Sequence, residues 1–150
     1  MRLHSKPRRG ASAVESAIVT TVTILLLFGL FIGGLGVFRY QQVAHLSREA
    51  SRWASVHGTQ YALDTGKPAA TANDVFQQVI AKQATALDLS KLTFSVTWNK
   101  NNNPSFTQII NNNPVTVTNT VTVTVTYQWI PEALIGGVTL TSTSVSTMSY

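Results

Sequence analysis

Between Ser16 and Phe38 the chain runs for 23 residues without a charged side chain, most of them Ile, Leu, Val, Phe or Gly. As a helix this stretch is about 35 Å long, more than the roughly 30 Å hydrocarbon core of a bilayer. It predicts a membrane-spanning helix. Four basic residues, Arg2, Lys6, Arg8 and Arg9, precede it, followed by Gly10 and a lone carboxylate, Glu15. A carboxylate costs on the order of a few kcal/mol once it enters lipid, so one kept at the mouth of a span asks for a purpose.

The charge pattern excludes some classes of function. The net charge is +5, yet the first ten residues hold four of the eleven Lys and Arg and none of the six Asp and Glu. The rest is nearly balanced, which argues against a nucleic-acid partner, because that needs a clustered basic face. The leader cluster instead reads as a topology signal that keeps the N-terminus in the cytoplasm and sends the C-terminal domain out across the inner membrane. Arg39, Arg48 and Arg52 follow the span and weaken that asymmetry. With no cysteine in the chain there is no disulfide, thiolate metal site or lipidated cysteine.

Beyond Phe38-Arg39-Tyr40, an aromatic and basic collar of interfacial type, Val43, Leu46, Ala50, Trp53, Ala54 and His57 recur at helical spacing. One helix is expected from about Ser12 to about His57, lipid-facing in its first half and amphipathic in its second, with Gly58 as its stop. A turn-rich linker is expected over 59–70, including Asp64-Thr65-Gly66-Lys67-Pro68. Thr71 and Asp74 then resemble a capping box, opening a second short helix with Val75, Phe76, Val79, Ile80, Ala84 and Leu87 on one face.

Strand signals follow. Leu92, Phe94, Val96 and Trp98 alternate with polar residues. Two Asn-Asn-Asn-Pro turns, Asn101 to Pro104 and Asn111 to Pro114, predict loop, edge strand, loop around 105–110. From Val115 to Trp129 the alternation is nearly strict, as one long strand or as two joined at Asn119-Thr120. The last strand, Val138 to Met148, changes apolar parity between Leu140 and Val145 and predicts a bulge or a break. Trp129, Ile130, Leu134 and Ile135 form either a contact patch or packing under the sheet. The expected fold class is α+β and pilin-like: a long N-terminal helix whose second half packs on a small antiparallel sheet, plus a second short helix.

The leader carries a resemblance. Basic residues ending at Gly10, then Ala11-Ser12-Ala13-Val14-Glu15 and an apolar helix, look like the processing signal of type IV pilins and pseudopilins. The small residues after the glycine, and Ser47-Arg48-Glu49-Ala50-Ser51-Arg52-Trp53-Ala54 after the span, resemble the TadE-like family of the Tad (tight adherence) system. The resemblance implies cleavage after Gly10 by a prepilin peptidase, with Ala11 as the new N-terminus and Glu15 as its fifth residue. It implies a noncatalytic minor pilin or pseudopilin without cofactor. Its implied partners are the peptidase, other pilin subunits, the inner-membrane assembly platform and membrane lipid. The implied roles are cell adhesion or secretion. Two departures stand out: Ser16 follows the glutamate where an aromatic is usual, and Thr20-Thr21-Val22-Thr23 occupies the region where a proline is common. The implied layout is a leader over 1–10, a span over 11–38, an amphipathic continuation over 39–58 and an extracytoplasmic domain over 59–150.

Plainer readings stand beside each motif. Gly10 and Glu15 fit a simple signal anchor, which gives the alternative function: an uncleaved, single-pass anchored binding module. Gly34-Leu35-Gly36 has the small-x-small look of a secretory cleavage site. Gly29 and Gly33 have the spacing of close helix pairing, or are ordinary membrane glycines. Asp64-Thr65-Gly66 matches the aspartic-protease tripeptide but lacks the second copy that chemistry needs. His45 and Glu49 lie four apart like metal ligands, with no further ligand to complete a site. No nucleophile, base and orienting group can be named together, so an enzyme is not expected.

Overall fold

A computed structural model of the protein describes residues 9–131 and 136–149, with the side chains of residues 9 and 11 left out. The leader residues Arg2, Lys6 and Arg8, and Leu134 and Ile135 of the apolar loop, lie outside the described residues. The chain divides into two compact units, one ending at Gly36 and one beginning at Val37.

Helix α1 runs unbroken over Arg9–Ser55. In the unit ending at Gly36 its side chains are bare, with Leu25, Phe28, Leu30 and Phe31 each more than 60% exposed. That suits a helix whose solvent is lipid. The hydroxyls of Thr21 and Thr23 donate to the carbonyls of Ala17 and Val19, both at 2.8 Å, so these polar groups are satisfied within the helix.

In the second unit α1 carries its buried stripe: Val43, Ala44, Leu46, Ala50 and Ala54, with Ser47, Ser51 and Ser55 interleaved. Trp53 and His57, expected in the same stripe, are only half-buried and stack on each other at 3.9 Å. The helix ends at Ser55 rather than near His57. Gly58 is not its stop: at φ −83° and ψ −159° it caps the start of α2, Thr59–Thr65. The first half of the expected linker is therefore helical. The left-handed stop belongs to Gly66 (φ 70°), whose N–H donates to the Ala62 carbonyl at 2.9 Å.

The capping box forms as expected. The Thr71 hydroxyl accepts from the Asp74 N–H, and the Asp74 carboxylate accepts from the Thr71 N–H at 2.9 Å. It opens α3, Ala72–Val75, which passes through a π-helical turn, Phe76–Ile80, into α4, Ala81–Gln83. Val75, Val79, Ile80, Ala84 and Leu87 are buried, and Phe76 stacks on Phe94 with ring centres 4.7 Å apart.

Three strands make the main sheet in the order β1-β4-β5: β1 is Leu92–Asn102, β4 is Thr120–Trp129 and β5 is Val138–Thr147. Both pairings are antiparallel. Val121, Val123, Val125 and Tyr127 of β4 point into the core while its threonines stand on the other face, where Thr124 and Thr126 hydrogen-bond Thr143 and Thr141. The expected bulge in β5 is absent, since β5 pairs with β4 residue by residue from Thr120↔Thr147 to Trp129↔Val138. The inner face of β5 is Leu140, Ser142, Ser144 and Ser146, and Val145 stands outside at 61% exposure. Apolar parity misleads there because the inner positions meet serines of α1: Ser47 Oγ lies 3.0 Å from Ser142 Oγ, and Ser51 Oγ lies 2.9 Å from Ser144 Oγ and 3.1 Å from Ser146 Oγ.

The second Asn-Asn-Asn-Pro turn is a hairpin rather than a loop beside a lone edge strand. β2, Ser105–Ile110, turns at Asn111-Asn112 and pairs with β3, Asn113–Thr118, as a separate two-stranded sheet. Of the two readings of the valine–threonine run, two strands are correct, and the break is Asn119.

Candidate functional site

Gly10, Ala11 and Glu15 all lie on the first turns of α1, and no side chain crowds Gly10: a Cβ built there meets nothing within 4 Å. Ala11 and Glu15 are four residues apart, so they share one face one turn apart. Glu15 is exposed and has no ion-pair partner among the described residues. Gly33 is eighteen residues beyond Glu15, about five turns at 3.6 residues each, which returns it to the same side of the helix. Gly29 lies one turn before Gly33, and a Cβ at either would meet nothing within 4 Å. No contact among the described residues explains these glycines. One side of the helix thus carries Glu15 near its start and the Gly29–Gly33 pair five turns on, with Val22 and Leu26 exposed between them.

The other motifs resolve into ordinary structure. Asp64-Thr65-Gly66 is the end of α2: Asp64 accepts from Gln60 at 3.2 Å, the Thr65 hydroxyl donates to the Tyr61 carbonyl, and Gly66 is the cap. His45 is exposed, and no cluster of three metal-ligating side chains exists among the described residues. Arg39, read as part of an interfacial collar, is engaged with its own domain, donating to the Ala86 carbonyl and to Gln42 Oε1. Trp129 is buried and Ile130 is 56% exposed, so these two do not form one patch.

Three groupings were not legible from spacing. The first is the serine seam between α1 and β5. The second is the cluster in which Trp53 stacks on His57 and Tyr61 lies tilted against it, lining a cleft of about 440 Å³ with Lys67, Asp74 and Gln78. His57 Nδ1 lies 2.8 Å from the Trp53 carbonyl, which makes it the protonated ring nitrogen. The third is Asn119. Its amide nitrogen donates to the carbonyls of Lys100, Asn101 and Asn103, and its amide oxygen accepts from the N–H groups of Lys100 and Thr120. Its only sequence signal was an interruption in the alternation.

A family model described as TadE-like protein matches residues 10–52, from the glycine of the leader to the serine-bearing turns of α1. Residues 10–52 are therefore similar to the TadE-like family. The matched segment takes in Gly10, Glu15, Gly29, Gly33 and the stripe through Ser51. Its apolar helix, the only one among the described residues long and apolar enough to cross a membrane, fits a single-pass anchor in a pilus-related protein. Comparisons with curated proteins and with solved structures each found no match.

Proposed function

We propose that the protein is a noncatalytic minor pilin or pseudopilin of a Tad-type pilus or a pilus-like secretion complex, cleaved after Gly10 and assembled through its N-terminal helix. The observation that carries this reading is the TadE-like match beginning at Gly10, with Glu15 bare on the helix one turn after Ala11. Cleavage there removes the four basic residues that hold the leader in the cytoplasm and creates a positive α-amino group at Ala11. In low dielectric a carboxylate without a partner is costly, and the new amine of a neighbouring subunit supplies one. The stripe through Gly29 and Gly33 lets a neighbouring helix approach closely below that pair. The partners are a prepilin peptidase, other pilins and the inner-membrane assembly platform.

Mass spectrometry of the protein extracted from the membrane tests the proposal. A mature chain beginning at Ala11 is the expected result. A chain that retains residues 1–10 would leave an uncleaved, anchored binding module and end the pilin reading. In cells, Glu15→Gln is expected to be cleaved and inserted normally yet to drop out of the assembly; equal incorporation would remove the pairing role of Glu15.

A further inference from the structure

The ribbon formed by β1 and β4 continues past the end of β5 as an arm. β5 stops at Thr147, opposite Thr120. On the far side of Asn119, among the described residues, β2 and β3 pair with each other and with no third strand. A two-stranded ribbon is marginally stable in water by itself. This one is wet on both faces, with Ile109 73%, Ile110 44% and Val115 40% exposed. Residues 105–118 include no charged side chain, and Lys100 Nζ sits 5.5 Å from the centre of the Phe106 ring.

The turn determines which edge of the arm is open. Asn111 and Asn112 both have positive φ, 51° and 63°, the geometry of a two-residue hairpin turn. Ile110↔Asn113 is then the closing pair that exchanges both backbone hydrogen bonds, and by alternation Ile109↔Pro114 is a pair that exchanges none. The missing N–H of Pro114 therefore falls on the outer edge of β3 and blunts it. β2 has no such guard. By the same alternation the N–H and C=O groups of Ser105, Thr107 and Ile109 point away from β3, with neither proline nor charge among them.

We propose that β2 is a self-pairing edge, through which two copies of this chain join antiparallel about a two-fold axis at Thr107. Ser105 then faces the partner's Ile109, and the two arms become one four-stranded sheet. Phe106, Ile110, Val115 and Val117 share one face of the arm. In the paired sheet Phe106 lies diagonally beside the partner's Phe106 and the partner's Ile110, which are contacts within reach for large side chains. The edge of β5 is a poorer match, because its flanking positions are serine and threonine on both faces apart from Leu140, Val138 and Val145, and would leave Phe106 and Ile110 without apolar neighbours. Nothing in this pairing depends on how the leader is processed.

The absence of native cysteine makes the test direct. In the full-length protein in detergent, Thr107→Cys places two thiols on the axis, about 5.5 Å apart at Cα. Thr116→Cys, its cross-strand neighbour on β3, places them about 14 Å apart, three strand spacings. Mild oxidation is expected to yield a disulfide dimer with Thr107→Cys and little with Thr116→Cys. Adding Ile109→Lys to the Thr107→Cys chain is expected to lower the dimer yield about tenfold by charging the edge. Ile109 is exposed, so circular dichroism should be unchanged. Equal yields at 107 and 116, no dimer at 107, or preferential coupling of Thr107→Cys to a Ser142→Cys copy would each overturn the proposal.

Discussion

A single amide holds the break between the two sheets. Asn119 is fully buried and spends both ends of its side chain on backbone groups of residues 100–103 and 120, while its own N–H donates to the Pro104 carbonyl and its C=O accepts from Met148. Removing that side chain leaves several backbone carbonyls and N–H groups buried without partners. Asn119→Ala is expected to destabilise the domain by about 2–4 kcal/mol, read from the urea midpoint of the full-length protein in detergent. The serine seam makes the opposite kind of demand, one of size. Ser51→Ala should cost no more than about 1 kcal/mol, because the lost hydroxyl has exchangeable serine partners. Ser51→Leu should cost about 1–3 kcal/mol or more by overpacking. Equal effects of the two would mean that α1 and β5 are not closely apposed at this point. Neither residue announces its role in sequence: an asparagine between strands reads as a turn, and serines in a helix read as surface.

Among the elements, the start of α3 was the most legible, because its capping box depends on residues three positions apart. Thr71→Ala should cost about 1 kcal/mol. Hydrogen bonds from the Thr71 hydroxyl and then its N–H hold the Asp74 carboxyl below the usual carboxylate range. A lowered folded-state value stabilises the fold wherever the unfolded group is ionised, above about pH 3.9, and that stabilisation is lost as pH falls through the lowered value. The thermal midpoint of Asp74→Asn should therefore fall below that of the parent at neutral pH and converge on it in acid. Strand faces were less legible. The inner face of β5 is serine because α1 meets it with Ser47 and Ser51, and no pattern within β5 alone contains that fact. The hairpin lies between these cases, since Asn111-Asn112 is a turn signal whose partner strand emerges only from pairing. Asn112→Val forces a β-branched residue to positive φ and is expected to destabilise the hairpin by about 1–2 kcal/mol, measured as faster amide exchange over 105–118.

At the scale of the molecule the two units depend on different solvents. In the unit ending at Gly36 the apolar side chains are bare, so its helix relies on lipid or detergent, whereas the unit from Val37 onward buries its own core of Val43, Leu46, Ile80, Val121, Val123 and Val125. Asn119→Ala should therefore lower the melting temperature seen in the near-ultraviolet signal of the tryptophans, while helical far-ultraviolet signal from the span persists in detergent. A single transition for both signals would contradict this division. The sequence by itself determined the long apolar helix and the capping box, and carried the likeness of residues 10–52 to the TadE-like family, because length, periodicity and adjacent caps are properties of the chain read one neighbourhood at a time. The tertiary structure alone decided where α1 stops, that Gly58 opens a helix instead of closing one, that β5 runs unbroken with serines inside, and that Asn119 anchors the junction. Each of these depends on what another segment brings to within hydrogen-bonding distance, and that information is spread over residues tens of positions apart.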